Sequence, residues 1–417
     1  MEWNTPRDVS SFIARLDTFI NEEIKPLERE NPEYFDHRRE YFRTDWENDG
    51  VPSRRWQEIL AEMRSRSDAA GVYRYGLPAS LGGAAAGNLA MAHVREHLTA
   101  RGPGLHFPYA DEASVVGNLP IALVLLEYGT AEQRKQYLEP LIAGRLEIAF
   151  SLTEPRHGSD ATYLEARARR HGSDWVIDGV KRYITLAHDS AADLVFARTS
   201  GTDGKSEGIT AFLVPSDAPG REIRYNHWTF NMPSTHAEVA LKGVRVPDAA
   251  VVGEVGRGLE CAQLFIHENR IRQAASSLGA AQYCIDRSVE FTKSRKVFGG
   301  YLREQQGVQW QLVSLQTEAE LVRNTVHKTA WQMDQYGPVS VSDKVSMVNL
   351  RGNQLACEAA DRAIQVHGGL GYTRALPFEH IYRHHRRYRI TEGTDEIQMR
   401  RIAKDLFGFG SDPAPRN

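Results

Sequence analysis

The segment 150–160 reads FSLTEPRHGSD, and the hydrophobic pattern of the chain changes there. Before it, apolar residues recur at steps of three and four, as at Phe12, Leu16 and Phe19, which predicts helices. After it, short runs of β-branched and aromatic residues alternate with turn residues, which predicts strands. From Gly258 onward the helical period returns. The chain is therefore predicted to contain a helical domain, a β domain and a second helical domain.

The β region begins with a strong hairpin signal. Residues 174–185 read DWVIDGVKRYIT, two strand-like runs on either side of Asp178-Gly179, and this predicts a β-hairpin. Four further strand-like segments follow, separated by turn residues: 192–199, 208–214, 221–230 and 236–246. Since no helical pattern lies between them, they predict an antiparallel sheet or barrel of about 100 residues.

Long amphipathic helices dominate the C-terminal third. Residues 306–333 carry one apolar stripe at steps of three and four, and similar stripes run through 271–289 and 345–366. Long helices with short connections pack as an antiparallel bundle. We therefore predict an α+β protein with three domains: a helical domain at 1–148, a β domain at 149–258 and a helical bundle at 259–417.

Composition argues against several classes of protein. The 417 residues carry 51 Lys and Arg against 54 Asp and Glu, a formal charge of −3. A near-neutral chain has no overall electrostatic reason to bind nucleic acid or an anionic membrane. The three cysteines, an odd number without metal-binding spacing, indicate a reducing compartment. Neither a signal peptide nor a membrane span is expected, so the sequence predicts a cytoplasmic protein.

The segment quoted first resembles a signature motif of the acyl-CoA dehydrogenase family, in the form Leu152-Thr-Glu-Pro-x-x-Gly-Ser-Asp160. Four further segments match the family in the same order: Tyr183-Ile-Thr185, Arg295-Lys-Val-Phe-Gly299 with Gln306, Gln365-Val-His-Gly-Gly-Leu-Gly371, and Thr391-Glu-Gly-Thr394. The resemblance covers residues from about 90 to 407 and agrees with the predicted order of helical and β domains.

The resemblance implies a fold, a cofactor and a reaction. The family has an N-terminal helical domain, a middle β domain and a C-terminal four-helix bundle. It binds one FAD per subunit, usually in a homotetramer, with a dimer as the alternative here. Its reaction forms a trans double bond between the α and β carbons of an acyl-CoA thioester, as in fatty acid metabolism. Electrons leave through an electron-transferring flavoprotein, which is the partner implied for this chain.

The resemblance also implies a catalytic base. Removing the α-proton of a thioester requires a carboxylate in a site dry enough to raise its pKa, and the family's base corresponds to Glu392. Gly393 would let the backbone approach the thioester, whose carbonyl the Glu392 N–H would bind. Some members carry the base on a long helix, at the position of Asn269, which cannot accept a proton. Glu268, one residue earlier, would point about 100° away, so Glu392 is preferred.

The other site residues follow from the same resemblance. Implied flavin contacts are Leu152, Thr153, Ser159, Tyr183, Ile184, Thr185, Thr394 and Glu396. Implied contacts with the FAD of a neighbouring subunit are Arg295, Phe298, Gln306, Gln365, Gly368 and Gly369. Implied substrate contacts are Ser159, Asn269, Arg270 and Gly393, although Arg270 is equally suited to a structural ion pair. No metal is expected, because no carboxylate completes an HExxH pattern with His93 and His97.

Alternatives to a dehydrogenase use the same fold. Residues 382–389, YRHHRRYR, are basic with interleaved aromatics, as in nucleic-acid-binding segments, which suggests a catalytically idle flavoprotein that binds nucleic acid. The near-neutral charge and Glu392 favour an enzyme without a nucleic acid partner. A flavin oxidase of this fold would be longer by about a domain, and flavin monooxygenases of the fold usually lack a glutamate equivalent to Glu392.

Departures from the family pattern bear on the acyl group. Arg156 and His157 replace small residues of the motif, and Asp111 and Glu112 precede 117–120, a segment that lines the acyl pocket in the family. A buried unpaired carboxylate is costly, so a carboxylate that faces the pocket disfavours an unbranched apolar chain. We therefore expect a polar, cyclic or otherwise unusual acyl group.

Overall fold

The computed structural model describes residues 5–109 and 113–408. The chain divides into two compact units, which we name by their main elements: a helical unit of Met1–Glu40, Ala70–Gly117 and His267–Asn417, and a sheet unit of Tyr41–Ala69 and Asn118–Ile266. The predicted α+β class, with helices before and after a mainly antiparallel sheet, is confirmed. The domain boundaries at residues 148 and 258 stay a prediction.

The described residues form twelve α-helices and twelve β-strands. The helices are α1 (Arg7–Phe19), α2 (Lys25–Glu30), α3 (Arg54–Ala69), α4 (Asn88–Ala100), α5 (Pro120–Tyr128), α6 (Ala131–Gln133), α7 (Glu139–Ile142), α8 (Gly258–Ser294), α9 (Gln306–Tyr336), α10 (Ser342–His367), α11 (Phe378–Tyr388) and α12 (Asp395–Phe407). The strands are β1 (Thr44–Asp45), β2 (Val51–Pro52), β3 (Ile148–Ser151), β4 (Arg167–His171), β5 (Asp174–Thr185), β6 (Ala192–Arg198), β7 (Ile209–Pro215), β8 (Arg221–Asn226), β9 (His236–Pro247), β10 (Val251–Val252), β11 (Lys296–Val297) and β12 (Gly300–Tyr301).

An eight-stranded sheet forms the centre of the sheet unit. Its strand order is β10-β7-β6-β4-β5-β9-β8, with β3 parallel to β6. Neighbours along this order are antiparallel, except that β4 and β6 meet in parallel at Arg167 and Arg198. Every residue of β6 is buried, as expected for an apolar strand covered on both faces. β3 ends at Ser151, so it leads directly into the segment 152–160.

The predicted hairpin within residues 174–185 is wrong. These residues form one strand, β5, which pairs with β4 and with β9. Gly179 does not form a turn. It allows β5 to pass close to Ala166, because a Cβ added at Gly179 would lie 2.6 Å from the Cβ of Ala166. The tight turn lies instead between β4 and β5, where Gly172 has a left-handed φ of 65°.

The helical unit is built around α10, which packs against α9, α11 and α12. Its close contact with α8 depends on Gly352, where an added Cβ would lie 3.2 Å from the carbonyl oxygen of Ala274. Part of the apolar stripe predicted on α9 is buried in the core: Leu312, Ala319, Val322, Val326, Ala330 and Met333. This packing brings the loop that follows α11 into hydrogen-bonding distance of α8.

Three general properties bear on function. Within residues 5–109 and 113–408, no cluster of three or more His, Cys, Asp or Glu side chains could hold a metal ion. None of the helices in that part of the chain combines the length and apolarity needed to cross a membrane. Cys261, Cys284 and Cys357 are buried free thiols, and burial raises the pKa of each.

Candidate active site

The loop between α11 and α12 carries Glu392 and is fixed at its ends. An ion pair between Arg389 and Asp395, 2.7 Å apart, closes the loop. The Thr394 hydroxyl caps α12 by accepting a hydrogen bond from the N–H of Ile397. The charge of Arg389 is thus paired with Asp395.

Glu392 has an unusual backbone conformation. Its φ of 56° lies in the left-handed region, which residues other than glycine adopt rarely. Its carbonyl oxygen accepts hydrogen bonds from Arg270 Nε at 2.9 Å, Arg270 Nη2 at 2.7 Å and Gln398 Nε2 at 3.1 Å. Gly393 follows with φ 102°, and a Cβ added there would lie 2.9 Å from Ile397 Cγ2. The three donors hold the backbone in this strained form.

The carboxylate of Glu392 contacts the same helix. Asn269 Nδ2 donates to Glu392 Oε1 at 3.1 Å, and both Asn269 and Arg270 are buried on α8. Burial lowers the pKa of Arg270 to about 10, against the charge of Glu392, so the guanidinium stays cationic at neutral pH. Asn349 of α10 donates to the Arg270 carbonyl at 3.1 Å. These contacts of Arg270 are structural, and its contact with substrate stays a prediction.

Glu268, the rival base, has other partners. Its Oε2 accepts a hydrogen bond from Arg272 Nη2 at 2.9 Å, one helical turn further along α8. Its Oε1 accepts one from Asn88 Nδ2 at 3.4 Å. One carboxylate oxygen is thus in a buried ion pair and the other accepts from a neutral amide, which suits a structural role.

In the sheet unit, the candidate flavin segment starts where β3 ends. The carbonyl of Leu152 accepts a hydrogen bond from Lys181 Nζ at 3.1 Å, and the carbonyl of Thr153 accepts one from the N–H of Arg182 at 2.9 Å. The segment is therefore fixed to β5, and its backbone position is set by residues that precede Tyr183.

Glu154, the central residue of the motif, is buried beneath this segment. Its carboxylate accepts hydrogen bonds from Lys181 Nζ at 2.8 Å, from the N–H of Ala166 at 2.9 Å and from the N–H of Glu165. Lys181 is 0% exposed, and burial lowers its pKa while the charge of Glu154 opposes that shift. Sequence reasoning missed Lys181, although a lysine inside an apolar strand is the signal of a buried ion pair.

A β-bulge presents Tyr183. Opposite β9 the register slips between Lys181 and Ile184, and Tyr183 adopts a left-handed φ of 60°. Its ring is 54% exposed and lies 4.6 Å from the ring of His227, measured between centroids. Bulges of this kind re-aim a side chain. The neighbouring residues alternate as in a regular strand: Ile184 is buried, Thr185 is exposed, and Ser159 on the preceding loop is also exposed.

The residues predicted to reach a neighbouring FAD lie at one end of the helical unit. The ends of α8 and α10 lie side by side, since the rings of Phe291 and His367 are 4.3 Å apart. Phe298, between β11 and β12, is 100% exposed. The other five are exposed as well: Arg295, Gln306, Gln365, Gly368 and Gly369.

Thr394 and Glu396 have a local role in addition to any cofactor contact. Thr394 is the N-cap of α12, and Glu396 lies in its first turn. Hydrogen bonds from its own N–H and from Thr394 lower the pKa of Glu396. An acidic side chain there is stabilised by the helix dipole. Their contact with FAD stays a prediction.

The basic run 382–389 is partly buried. It lies on α11, where His384 and His385 are fully buried and Arg383 pairs with Glu379 at 2.6 Å. Burial also lowers the pKa of His385 to about 3, so this ring is neutral at physiological pH. The arginines of the run, Arg383, Arg386, Arg387 and Arg389, are partly buried.

Other residues singled out from the sequence have local partners. Arg156 and His157 both face Glu165, at 3.5 Å and 3.3 Å. In the helical unit His93 stacks against His327 and His97 pairs with Asp17. Asp111 and Glu112 lie outside the described residues.

Comparison with known proteins covers nearly the whole chain. Residues 8–145, 149–244 and 256–407 match, in that order, the N-terminal, middle and C-terminal domains of acyl-CoA dehydrogenase. The chain belongs to the acyl-CoA dehydrogenase family. As a member of this family it is an FAD-dependent oxidoreductase that acts on the CH–CH bond of an acyl-CoA.

Similar proteins extend the comparison. The probable acyl-CoA dehydrogenase FadE2 of Mycobacterium tuberculosis is 32% identical over 401 residues, which are 94% of this chain and 93% of that relative. The caffeyl-CoA reductase-Etf complex subunit CarC of Acetobacterium woodii is 29% identical over 352 residues, 84% of this chain and 90% of the relative. A glutaryl-CoA dehydrogenase of Mycobacterium smegmatis in complex with FADH2 is 25% identical, with a TM-score of 0.79 over 98% of this chain and 97% of that one.

The residues near Tyr183 fit the cofactor that this acyl-CoA dehydrogenase needs. Both ring nitrogens of His188 and the Nε2 of His227 are buried without a hydrogen-bond partner among the described residues. An unpaired buried polar atom costs about 1–3 kcal/mol, and a polar heterocycle bound beside it would supply the missing partner. The observation agrees with a flavin at this end of β5.

Proposed function

We propose that the protein dehydrogenates an acyl-CoA thioester between its α and β carbons, with Glu392 as the base that takes the α-proton. The observation that carries this proposal is the double attachment of Glu392, by its carbonyl to Arg270 and by its carboxylate to Asn269. A general base must be held in reach of the proton it removes. FAD, when bound, accepts the hydride that leaves the β-carbon.

The chain's own residues divide the remaining work. The backbone at Gly393 is proposed to approach the thioester, and the N–H of Glu392 is the donor proposed for the thioester carbonyl. The substrate contacts proposed are Ser159, Asn269, Arg270 and Gly393. Glu268 is unsuited to act as the base, because its carboxylate is tied to Arg272 and Asn88.

For the cofactor we propose two groups of contacts. Those within the subunit are Leu152, Thr153, Ser159, Tyr183, Ile184, Thr185, Thr394 and Glu396. Those to the FAD of a second subunit are Arg295, Phe298, Gln306, Gln365, Gly368 and Gly369. The complete exposure of Phe298 supports the second group, since an aromatic side chain of this size is seldom left entirely in water. FAD binding would then be coupled to a homo-oligomer, a tetramer before a dimer.

An electron-transferring flavoprotein is the proposed electron acceptor. The relative CarC, by its name, is a subunit of a caffeyl-CoA reductase-Etf complex, which supports such a partner for this chain. We also propose that the protein is cytoplasmic and acts in fatty acid metabolism or a related part of acyl-CoA metabolism. The acyl group is proposed to be polar, cyclic or otherwise unusual.

The test is anaerobic reduction of the purified flavoprotein by a panel of thioesters: butanoyl-, octanoyl-, palmitoyl-, cyclohexanecarbonyl- and 3-phenylpropanoyl-CoA. Loss of the visible flavin absorbance reports the reaction. We expect reduction in the wild type and in Glu268→Gln, and its loss in Glu392→Gln. If Glu392→Gln is reduced as fast as the wild type, Glu392 is not the base. A preference for octanoyl- or palmitoyl-CoA contradicts the proposed acyl class, and oxygen uptake during turnover would indicate an oxidase or monooxygenase.

A further inference from the structure

The residue that touches the carboxylate of Glu392 is an uncharged amide. Asn269 Nδ2 lies 3.1 Å from Glu392 Oε1, within hydrogen-bond range, and Asn269 is 8% exposed. An amide nitrogen in this position matches an ionised carboxylate, which only accepts hydrogen bonds. The hydrogen bond therefore stabilises the charged form, the form that can take a proton.

The charge of Arg270 also acts on Glu392, but its hydrogen bonds go to a different atom. Arg270, the next residue of α8, donates to the carbonyl oxygen of Glu392. Arg401 of α12 donates to the hydroxyl of Ser342, and Arg389 pairs with Asp395. The hydrogen bond that Asn269 donates to the Glu392 side chain comes from a neutral group.

A neutral donor has a chemical advantage over a cation at this place. A cation in contact with the carboxylate would favour the charged form so strongly that its basicity would fall. An amide supplies one hydrogen bond of modest strength, which orients the carboxylate and leaves its basicity largely in place.

Resting on the function proposed above, we infer that Asn269 is a positioning residue for the base, in addition to any contact it makes with substrate. It orients the carboxylate of Glu392 and favours its charged form by a hydrogen bond. Arg270 and Gln398 hold the backbone carbonyl of Glu392, so hydrogen bonds fix this residue both at its backbone and at its carboxylate.

The test compares Asn269→Ala and Asn269→Asp with the wild type in anaerobic flavin reduction at pH 5.5 to 9, using the fastest thioester of the panel above. Gln273→Ala is the matched control, because Gln273 is a buried amide of the same helix that touches the loop at Thr391 Oγ1 and not the Glu392 carboxylate. FAD content and melting temperature are measured for every variant.

We expect Asn269→Ala to slow reduction about tenfold and to move the acid limb of the rate profile up by about 0.5 to 1 pH unit. Asn269→Asp preserves shape but places a like charge beside Glu392, so its acid limb should move further, by more than about one unit. Gln273→Ala should keep the wild-type acid limb.

Two results would overturn the inference while leaving the proposed function intact: an unchanged acid limb in both Asn269 variants, or an Asn269→Asp enzyme that behaves as wild type. If the wild type is not reduced by any thioester of the panel, or if Glu392→Gln reacts at the wild-type rate, the proposed function and this inference both fail.

Discussion

Two glutamates stand in similar sequence settings, Thr153-Glu154-Pro155 and Thr391-Glu392-Gly393, and their environments differ completely. Glu154 is buried, with its charge matched by Lys181 and by two backbone N–H groups. Glu392 lies on a loop, is only half-buried, and its carboxylate meets the amide of Asn269. The first arrangement fixes structure, and the second keeps a carboxylate available for a proton. A glutamate that lies in a family motif can therefore be assigned a catalytic or a structural role only when its hydrogen-bond and charge partners are known.

The largest effect should come from Glu392→Gln. Glutamine keeps the shape and cannot take the α-proton, so the rate of anaerobic flavin reduction should fall by about 10²- to 10⁴-fold. The melting temperature should stay within about 2 °C of the wild type, since the main hydrogen bonds to this residue are made by its backbone carbonyl. A large loss of stability with little change in rate would make Glu392 resemble Glu154 and remove the contrast.

Lys181→Met should produce the opposite pattern. It leaves the carboxylate of Glu154 buried without its cation, which destabilises a protein by about 3–5 kcal/mol. The double variant Lys181→Met with Glu154→Gln should regain much of that stability, and urea unfolding measures both. FAD affinity should fall with the single variant, because Lys181 also holds the Leu152 carbonyl. A single variant as stable as the wild type would show that the pair does not stabilise the sheet unit.

Acid should weaken the helical unit through its buried histidines. Burial lowers the pKa of His106 and of His385 from 6.5 to about 3. Between these values the unfolded state binds more protons than the folded state, so stability falls as pH drops below about 6.5, and the loss is complete only near pH 3. Each ring should contribute a loss of about 2 kcal/mol at pH 5 relative to pH 7.5.

Urea unfolding at several pH values checks this expectation. In His385→Gln, the free energy of unfolding should depend less steeply on pH between about 3 and 6.5, by the contribution of one histidine. An unchanged slope in that variant would mean that protonation of His385 does not oppose folding.

Arg156→Ala should have the smallest effect. The Arg156 side chain is 79% exposed and 3.5 Å from Glu165, and surface ion pairs contribute about 0–1 kcal/mol. Stability should therefore hardly change. A rise of more than about threefold in KM for the acyl-CoA, with kcat constant, would instead indicate that Arg156 binds the CoA phosphates.

The order of helices and strands was predictable because hydrophobic period reports local structure directly. The hairpin at Asp178-Gly179 was not, because glycine serves turns and close packing alike. Only the approach of Ala166 to Gly179 distinguishes the two uses. Similarly, β8 ends at Asn226, short of the predicted strand to residue 230.

For the candidate site, the sequence proposed residues but not their partners. Glu392 is more than 100 residues from Asn269 and Arg270 in sequence and yet hydrogen-bonds to both. Asn269 contacts the carboxylate of Glu392, whereas Arg270 contacts its carbonyl. This difference depends on the directions of the side chains, which cannot be predicted from the spacing of residues in the sequence. The pairing of Glu154 with Lys181 was missed for the same reason.

The burial of Lys181 has a further consequence for an enzyme that handles thioesters. The uncharged form of a lysine amine attacks thioesters to form stable amides. In the folded protein no acyl-CoA can reach this nitrogen, since the side chain is 0% exposed. In an unfolded chain the same nitrogen is open to acylation, and an acylated lysine could no longer neutralise Glu154. Folding thus protects this lysine from chemical damage by the very class of compound that the enzyme transforms.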